Sequence, residues 1–531
     1  MKSSIIHSAL SRLGRWINSP ETPVKILFVY PSYPDTFWSF RHALRFISKK
    51  ACFPPLGLLT VAAMLPSEWD KKLVDMNVDP LRDEDIEWAD YVFLSAMAVQ
   101  DRSSREVVSR CNRIGTKVVA GGPLFTMAEE RIPGISHFVL GEAEVTLPRF
   151  LRDLAGGSAK PVYECGERPA LSTTPVPLWS LIDTKHYATV NIQYSRGCPF
   201  DCEFCDITLL NGRQPRTKSR QQLEEELDTI FAKGWHGSVF VVDDNFIGNK
   251  KKLKEEILPA MADWSRKRGY PFSFYTEASI NLADDDELMR LMAEAGFNRV
   301  FIGIETPNEE SLSECNKVQN KGRDLAECVK KIQNRGFEVQ GGFIVGFDSD
   351  PASIFKSQIS FIEKTGIVSA MVGLLNAPRG TRLYQRLKKE NRLVADMSGD
   401  NTDCSLNFVP KMNRQALIDG YKHILTTIYA PKQYYQRITT FLREYRPPKL
   451  RLMKAFHFYH VPAFFRIVWA LGVIDRGRTH FWHLLLSTLL RRPRLLAISF
   501  NLAVFGLHFR KVAEKVVASP VVADASTDSA V

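Results

Sequence analysis

Two successive series of short β-rich runs, each run followed by a helical pattern, constrain the fold of this chain more than any other feature. The first series consists of KILFVY at 25–30, KKLVD at 71–75, YVFLS at 91–95, KVVAGGP at 117–123 and HFVLGE at 137–142. This alternation predicts a doubly wound α/β domain with a parallel sheet, which we place over residues 25–160. Ligands of such sheets bind beyond the carboxyl ends of the strands. Gly121 and Gly122 are expected there, either as ordinary turn residues or, together with other small and polar strand ends, as part of a site for a flat cofactor.

A connector over 161–184 that contains several prolines leads to the second series. Its candidate strands are VNIQYS at 190–195, SVFVVDD at 238–244, FSFYTE at 272–277, RVFIGIE at 299–305, VQGGFIVGF at 339–347 and SAMVGLL at 369–375. Six strand and helix units predict an open or partial barrel over 185–395. In barrels of this kind the reactive groups lie at the C-terminal ends of the strands and in the loops that follow them.

The net charge of +11 is concentrated in the C-terminal region, which we predict to be helical over 396–515. Between Arg443 and Lys515 lie 14 Lys and Arg against three Asp and Glu, so that this stretch carries the whole excess. Apolar runs at 481–490 and 495–509 are interleaved with these cations, and neither reaches the roughly 18 to 20 residues that span a bilayer. We expect helices that lie on an anionic membrane surface or, alternatively, an apolar subdomain that covers the barrel mouth.

Both ends of the chain are predicted to lie outside the folded units. Ile6, Leu10, Leu13 and Ile17 recur at helical spacing within residues 1–24, which indicates an amphipathic helix on a membrane or on the protein itself. Residues 516–531 have the composition of a disordered tail. The N-terminus lacks the continuous apolar stretch of a signal peptide, and nine cysteines, an odd number, argue against a secreted disulfide framework. We therefore predict a cytoplasmic protein at the inner face of the membrane.

The cysteine motif RGCPFDCEFCDI at 196–207 follows the first strand of the second series. Its CxxxCxxC spacing brings the thiolates of Cys198, Cys202 and Cys205 to one end of a loop. Three thiolates hold three irons of a [4Fe–4S] cluster and leave the fourth iron open to an exogenous ligand, whereas a structural zinc site closes with four protein ligands. No Cys or His lies between Cys205 and His236, which argues against zinc.

This motif, with Phe204 directly before its last cysteine, resembles that of the radical S-adenosylmethionine (SAM) superfamily, and the resemblance covers residues 185–395. It implies that the methionyl amine and carboxylate of SAM chelate the open iron. One electron then cleaves the sulfonium to a 5′-deoxyadenosyl radical, which removes a hydrogen atom from an unactivated carbon. The resemblance also implies polar strand ends around SAM. These are Asp243, Asp244 and Asn245 near the methionyl amine, and Glu277 and Glu305 near the ribose or the amine, unless the acidic groups are helix caps instead.

The doubly wound domain ahead of this barrel resembles the cobalamin-binding arrangement of the class B radical SAM methylases. Their DxHxxG motif, whose histidine ligates cobalt from below, is absent, and His42 is the one histidine between residues 8 and 136. The resemblance therefore implies cobalamin without a lower imidazole from the protein, cradled in part by FPPLGLLTVAAML at 53–65 and VVAGGP at 118–123. The implied reaction is methylation of an unactivated carbon, with one SAM as radical source and a second to remethylate the cobalt.

Several longer phrases are similar to the subgroup of these methylases that includes the hopanoid C-2 methylases. They are PDTFWSF at 34–40, FPPLGLLTVAAMLP at 53–66, VDDNFIGN at 242–249, EASINL at 277–282, GGFIVGFDSD at 341–350 and FLREYRPP at 441–448. This resemblance implies a hopanoid or other lipid-like substrate, a reductant such as a flavodoxin or ferredoxin, and peripheral contact with a membrane. It implies no nucleic acid partner.

Three other functions stay open at this point. A methylthiotransferase would need a second cluster on the widely spaced Cys52, Cys111 and Cys165, and the sequence shows no small β-barrel for RNA binding. A cobalamin-dependent cyclase or oxidase would use the same cofactors without methyl transfer. A non-enzymatic iron–sulfur protein would leave the carboxylates at the strand ends without a role. Cys315 and Cys328 fall in predicted helices and are interpreted as inert thiols.

Overall fold

The computed structural model describes residues 23–128, 130–447 and 460–519 of the chain. These residues form two compact units. The first consists of the chain up to Tyr33 together with Pro55–Asp183, and the second of Pro34–Pro54 together with the chain from Thr184 onward. Residues 1–22 of the predicted amphipathic segment at the N-terminus lie outside the described residues, as do residues 520–531 of the predicted tail. Residues 516–518, which were predicted to belong to that tail, are helical. Pro34–Pro54 follows the first strand in the sequence but belongs by its packing to the second unit.

The first unit is a parallel sheet with helices on both faces. Its strands are β1 (Lys25–Tyr30), β2 (Asp70–Asp75), β3 (Tyr91–Ser95), β4 (Lys117–Gly121), β5 (His137–Val139) and β6 (Val162–Tyr163). Its helices are α1 (Leu56–Met64), α2 (Asp83–Trp88), α3 (Asp101–Ile114), α4 (Pro123–Met127) and α5 (Ala143–Ala155). The strand order is β2-β1-β3-β4-β5-β6. The predicted doubly wound architecture is therefore confirmed.

Strand β1 shows why a continuous apolar run predicts this sheet. Leu27 and Val29 enter one apolar cluster, whereas Ile26 and Phe28 enter the cluster on the opposite face. All four side chains are completely buried. A strand that is covered on both faces carries no polar alternation, and this is the pattern of parallel sheets.

The second unit contains a second parallel sheet. Its strands are β7 (Thr189–Ile192), β10 (Ser238–Val241), β11 (Ser273–Glu277), β12 (Phe297–Glu305), β13 (Glu338–Val345) and β14 (Ala370–Leu374). Between β7 and β10 in the sequence, the two-residue strands β8 (Ser195–Arg196) and β9 (Arg216–Thr217) form a separate antiparallel pair. The order is β14-β13-β12-β11-β10-β7. All six predicted strands are present. The prediction did not include β8 and β9, which frame the cysteine motif.

Helices alternate with these strands and complete the expected partial barrel. They are α6 (Arg220–Ala232), α7 (Leu258–Lys267), α8 (Asp286–Ala295), α9 (Glu309–Glu314), α10 (Leu325–Asn334), α11 (Ile354–Thr365) and α12 (Arg382–Lys389). The C-terminal region is helical, as predicted, with α13 (Arg414–Ile428), α14 (Pro431–Glu444), α15 (His460–Trp469), a π-helical turn at Ala470–Ile474, α16 (Arg478–Arg491) and α17 (Leu496–Ala518).

The expectation that no apolar run is long enough to cross a bilayer is wrong for α17. The run at 495–509 continues without a break through Arg510 and Lys511 to give a helix of 23 residues. By length and composition the segment Pro493–Ala518 could cross a membrane, but 61% of its apolar window is buried inside the protein. A core helix of a soluble protein has the same properties.

The contacts of α17 are those of a core helix. Tyr434 of α14 donates its hydroxyl proton to the Leu502 carbonyl at 2.7 Å, and a Cβ on Gly506 would lie 2.1 Å from the Tyr434 ring. Arg510 pairs with Asp475, and both side chains are only 9% exposed. The sequence therefore places this long apolar helix largely in the interior of the second unit.

The segment Pro34–Pro54, which we call the strap, packs on both the sheet and α17. Trp38 meets the ring of Phe301 in β12 edge-on, with centroids 5.3 Å apart, and its Nε1 donates to Met371 Sδ in β14 at 3.1 Å. Phe37 stacks on Phe509 of α17, with centroids 4.2 Å apart and ring planes inclined by 6°. The aromatic residues of PDTFWSF are thus packing residues of the second unit.

Candidate active site at the strand ends of the second unit

The cysteine motif forms a loop whose base is closed by β8 and β9. Gly197 lies at φ +99°, and a Cβ there would lie 2.9 Å from the Gly212 carbonyl oxygen, so that only glycine fits. Cys198 donates its backbone N–H to the same Gly212 carbonyl at 3.2 Å, and Cys205 donates to the Cys202 carbonyl at 3.2 Å. The backbone itself therefore gathers the three cysteines into one loop.

Two adjacent carboxylates after β10 anchor this loop. Asp243 is completely buried; its Oδ1 accepts the Tyr194 N–H at 2.8 Å, and its Oδ2 accepts the N–H and hydroxyl of Ser195 at 2.8 and 2.6 Å. Asp244 Oδ2 accepts the Gly197 N–H at 2.9 Å. Both oxygens of Asp243 are thus engaged by the loop, which the predicted contact with a methionyl amine did not anticipate. Asp244 Oδ1 has no donor among the described residues.

Two amide side chains approach the thiols from other elements. Asn245 Nδ2, directly after the two carboxylates, lies 3.9 Å from Cys198 Sγ. Gln319 Nε2 lies 3.7 Å from Cys202 Sγ, and its Oε1 is buried without a partner in the described part of the chain. Donors aimed at sulfur favour the thiolate form, which is the form that binds metal. Asn245 was predicted for this site, whereas Gln319 was not.

Lys317 is a buried cation beside the loop that sequence reasoning missed. Its Nζ lies 2.6 Å from Glu305 Oε1, and the two side chains are 12% and 9% exposed. Burial alone disfavours the charged amine, but Glu305 and the thiols of Cys202 and Cys205 hold the pKa of Lys317 above its ordinary value. Burial raises the pKa of Cys205, and the charge of Lys317 opposes that shift. A fixed positive charge here stabilises thiolates.

Glu305 is aimed at Lys317 by an irregular strand end. Its φ is +63°, in the left-handed region, and the register of β12 shifts between Gly303 and Glu305. A Cβ on Gly303 would lie 2.3 Å from Glu305 Oε1 and 2.8 Å from Lys317 Nζ, so the ion pair needs a glycine at this position. Backbone strain of this kind concentrates at functional sites. Glu305 is predicted to lie near the ribose or the amine of SAM, and in the structure its Oε1 pairs with Lys317.

Glu277, at the end of β11, is a half-buried carboxylate to which no described residue donates a hydrogen bond. Burial, followed by the charges of Asp244 and Asp243, raises the pKa of Glu277 to about 7 against the opposing charge of Lys317. A carboxylate with a shifted pKa and no hydrogen-bond donor within the described part of the chain is a candidate for binding a cationic ligand. Glu277 and the Oδ1 of Asp244 together offer acceptors for the N–H groups of an amine.

An ion-pair network fixes the middle of the cysteine loop. Arg386 of α12 binds both carboxylate oxygens of Glu203, at 2.8 and 3.1 Å, and also binds Asp348 at 2.9 Å. A bidentate pair of this kind sets the orientation of the carboxylate as well as its distance. Phe204 follows directly and packs against Phe347, with ring centroids 6.2 Å apart. The ion pairs of Glu203 therefore also fix the main chain at Phe204, the next residue in the loop.

The three thiols fit a cluster better than a single zinc ion. Sulfur ligands about 2.3 Å from one tetrahedral ion lie about 3.8 Å from one another. Among the described residues, one group of three Cys, His, Asp or Glu side chains has its ligand atoms within 4.8 Å of one another. That group is Asp35, His42 and His508, so the three cysteines are spaced more widely than this limit. Three more widely spaced thiols with N–H donors and a cation around them suit a [4Fe–4S] cluster.

Gly121 and Gly122 lie at the C-terminal end of β4 in the first unit, as predicted. Gly122 has φ +93°, and a Cβ there would lie 2.5 Å from Ser95 Oγ; a Cβ on Gly121 would lie 2.7 Å from the Val139 carbonyl oxygen. Both glycines are therefore required by the close approach of neighbouring strands. They leave main chain exposed at the edge where ligands of such sheets bind. His137 begins β5 and lies at the opposite edge.

The remaining cysteines do not support a second cluster. Cys111 is completely buried in an apolar core on α3, and burial raises its pKa to about 11. Cys52 is buried in the second unit, and burial raises its pKa to about 12. Burial likewise raises the pKa of Cys315 to about 12. Cys111 is enclosed by apolar side chains and Cys52 belongs to the other unit, so these two cysteines give no structural support to the second cluster of a methylthiotransferase.

Comparisons with known proteins agree with this architecture. Residues 45–151 match the B12 binding domain, 192–356 match the radical SAM superfamily and 381–520 match a domain of unknown function. The chain is 38% identical over 495 residues to an uncharacterized methyltransferase of a Synechocystis species, which covers 92% of both chains. It is 33% identical over 484 residues to the hopanoid C-2 methylase of Rhodopseudomonas palustris, which covers 89% of this chain and 91% of that protein.

Solved structures of two cobalamin-dependent radical SAM proteins share the fold. OxsB with aqua-cobalamin bound has a TM-score of 0.59 at 16% identity, covering 95% of this chain and 84% of that chain. The methyltransferase TsrM from Kitasatospora setae has a TM-score of 0.54 at 14% identity, covering 71% of this chain and 80% of that chain. Fold and site thus define a radical SAM enzyme with a cobalamin-binding domain. The chain belongs to the cobalamin-dependent radical SAM methyltransferases, and its cofactors are a [4Fe–4S] cluster, SAM and cobalamin.

Proposed function

We propose that this enzyme methylates position 2 of hopanoid lipids. The observation that carries the proposal is the 33% identity to the hopanoid C-2 methylase of Rhodopseudomonas palustris, because it extends over 89% of this chain. An alignment of that length includes both sheet units and the helical C-terminal region, not only the parts that bind cofactors. The apolar and basic surface of the C-terminal helices, described below, supports a lipid-like substrate.

Within the site we propose that Cys198, Cys202 and Cys205 hold the [4Fe–4S] cluster. When bound, the cluster and SAM supply a radical that removes a hydrogen atom from the lipid carbon, and cobalamin supplies the methyl group. Glu277 and the Oδ1 of Asp244 accept hydrogen bonds from the N–H groups of the methionyl amine of SAM and so orient it over the loop. Because no described residue donates to Glu277, the amine N–H groups of bound SAM would give this half-buried carboxylate a hydrogen-bond partner.

For cobalamin we propose the strand edge formed by Gly121 and Gly122. Without side chains at these two positions, a flat macrocycle can approach the main chain of β4 directly. The sheet order of this unit is the flavodoxin-like one, in which ligands sit at the carboxyl edge of the strands. A reductant such as a flavodoxin or ferredoxin supplies the electron that the reaction consumes.

Lipid analysis tests the substrate. In a hopanoid-producing host that supplies cobalamin, expression of this gene should yield hopanoids heavier by one methylene, with the methyl group at position 2, as read by mass spectrometry of total lipids. The Cys202→Ala variant is the control and should yield none. Unchanged hopanoids in cells that contain cluster-loaded protein would refute the lipid assignment and leave a methyltransferase with another substrate.

We further propose that α15 and α16 rest on the inner, anionic leaflet of the membrane. Two stripes of large apolar side chains at helical spacing are between 41% and 83% exposed, and we call them the outer face. They are Phe465, Trp469 and Val473, then Trp482, Leu486, Leu489 and Leu490. Arg478, Arg491 and Arg494 are exposed on or next to α16 without an acidic partner among the described residues. Exposed apolar stripes flanked by arginines are typical of helices at headgroup level.

Vesicle binding tests the outer face. Changing Trp469, Leu486 and Leu490 to serine should weaken binding to phosphatidylglycerol vesicles by about 100-fold, because three partly inserted side chains contribute roughly 1 kcal/mol each. Cosedimentation at several lipid concentrations measures this. The double variant Val394→Ser and Val409→Ser is the control, since these apolar side chains are 45% and 51% exposed elsewhere. Equal binding by the triple variant and the control would rule out this face.

A further inference from the structure

Asp35, His42 and His508 form a cluster of ligand-type side chains that the reaction does not use. One ligand atom from each lies within 4.8 Å of the other two. Asp35 and His42 belong to the strap, and their closest atoms, Oδ2 and Nε2, are 2.7 Å apart. His508 belongs to α17, is completely buried, and faces this pair from the core of the second unit.

The ring of His508 is oriented by the strap backbone. Its Nε2 lies 3.0 Å from the Phe37 carbonyl oxygen, and since a carbonyl can only accept, Nε2 carries the proton. In the neutral ring Nδ1 then keeps its lone pair, and this buried atom has no hydrogen-bond partner within the described ranges. A histidine that donates one N–H to a carbonyl and offers its other nitrogen is the usual arrangement of a metal ligand.

Asp35 is oriented in a similar way. Ser39 donates its hydroxyl proton to Asp35 Oδ1 at 2.9 Å, which leaves Oδ2 directed toward His42. The Asp35 and His42 side chains are 16% and 25% exposed, so the cluster opens to solvent on the side away from His508. The contact between Asp35 and His42 satisfies these two side chains, but it leaves Nδ1 of His508 unpaired.

We propose that Asp35, His42 and His508 bind a divalent first-row transition metal ion, with Zn²⁺ as a fitting example. Two imidazoles and one carboxylate are a common donor set for such ions, and the open side leaves room for water as a further ligand. The ion satisfies all three ligand atoms, including the buried Nδ1 of His508. The ion would link the strap to α17. Its donor set contains no sulfur, so this site is distinct from the cysteine loop.

Nearby charges modify the affinity of this site. Arg45 and Lys511 lie close enough to act on His42 and disfavour a cation. Lys515 is also near, since its Nζ donates to the Asp35 carbonyl at 3.2 Å. On the other side, the backbone carbonyls of Thr36 and Phe37 face the ring of His508 and favour a cation. Since the surrounding charges partly oppose a cation, the affinity for the ion depends mainly on the three direct ligands. Loss of any one of them should therefore lower that affinity strongly.

Zinc content and its ligand shell test the site. Full-length protein with its cluster reconstituted is passed over a chelating resin, supplied with Zn²⁺, and freed of unbound ion by gel filtration. Elemental analysis should find one zinc per chain, and X-ray absorption at the zinc edge should show only nitrogen and oxygen ligands. Sulfur ligands would mean that zinc occupies the cysteine loop, and such a result, like the absence of bound zinc, would overturn the proposal.

Substitutions assign the site to its residues. Asp35→Asn and His42→Asn should each lower zinc affinity at least about tenfold, a loss no smaller than that caused by removing a supporting group around a metal. His423→Asn, on the exposed side of α13, is the matched control and should bind zinc like the wild type. Melting without zinc checks that both variants are folded. If His42→Asn and Asp35→Asn are folded and keep full zinc affinity, the assignment is wrong.

Discussion

Replacing Cys202 by alanine is expected to abolish both the reductive cleavage of SAM and the formation of methylated product. Cys202 is buried in the cysteine loop and accepts a hydrogen bond from Gln319 at 3.7 Å, so the change removes one of three thiolates and leaves the cluster with two protein ligands. Iron should fall to near background, and 5′-deoxyadenosine should be undetectable by chromatography. Cobalamin absorbance should persist, because the sheet with Gly121 and Gly122 belongs to the other unit.

Cys328→Ala is the matched control for this experiment. Cys328 lies half-buried on α10, outside the cysteine loop, so its removal changes the thiol count without touching the proposed ligands. This variant should keep its iron and cleave SAM at the wild-type rate. The cluster assignment fails if the Cys202 variant still cleaves SAM. If the Cys328 variant is equally inactive, the loss of activity is not specific to the cysteine loop.

The strands could be predicted from the sequence because each is a local apolar pattern. Strand β1 is a run of apolar residues buried on both faces, and β7 and β13 of the second sheet are likewise largely buried, whereas β10 and β11 alternate. The pair β8 and β9 escaped prediction because two residues show no periodicity. The length of α17 was underestimated for a different reason. Arg510 and Lys511 read as the end of an apolar run, whereas Arg510 is buried against Asp475 within the helix.

The site could be predicted only where chemistry and spacing coincide in one segment. The three cysteines lie within eight positions, and the strand-end carboxylates directly follow apolar runs. Both groups of residues can therefore be recognised in the sequence alone. Lys317 cannot, because it becomes significant only through Glu305 and through thiols more than a hundred positions earlier in the chain. Asp243 was predicted to lie at the site, but its hydrogen bonds were not. Its hydrogen bonds go largely to backbone N–H groups of Tyr194 and Ser195, which leave no mark in a sequence.

Glu277→Gln is expected to weaken SAM binding by about 30-fold or more at pH 8, because it replaces a charged hydrogen-bond acceptor of the cationic SAM molecule by a neutral one. Burial raises the pKa of Glu277 to about 7, so in the wild type the carboxyl becomes protonated as the pH falls through 7 and loses the negative charge that favours the amine N–H groups and the sulfonium of SAM. Wild-type affinity for SAM should therefore fall between pH 8 and pH 6, whereas the affinity of the variant should be nearly constant. Anaerobic equilibrium dialysis with labelled SAM measures both.

The same substitution should have the opposite effect on stability. Burial raises the pKa of Glu277 above that of an ordinary glutamate, so the folded, SAM-free protein holds this proton more tightly than the unfolded chain does, and its stability falls as the pH rises from about 4.5 to 7. Glutamine removes this penalty, and the free energy of unfolding at pH 8 should rise by about 1–3 kcal/mol. Glu294→Gln, an exposed carboxylate on α8, should change neither quantity. A Glu277→Gln protein that binds SAM poorly and is also less stable would show only a damaged fold, whereas weaker binding in a more stable protein identifies Glu277 as a group whose charge is kept for the ligand.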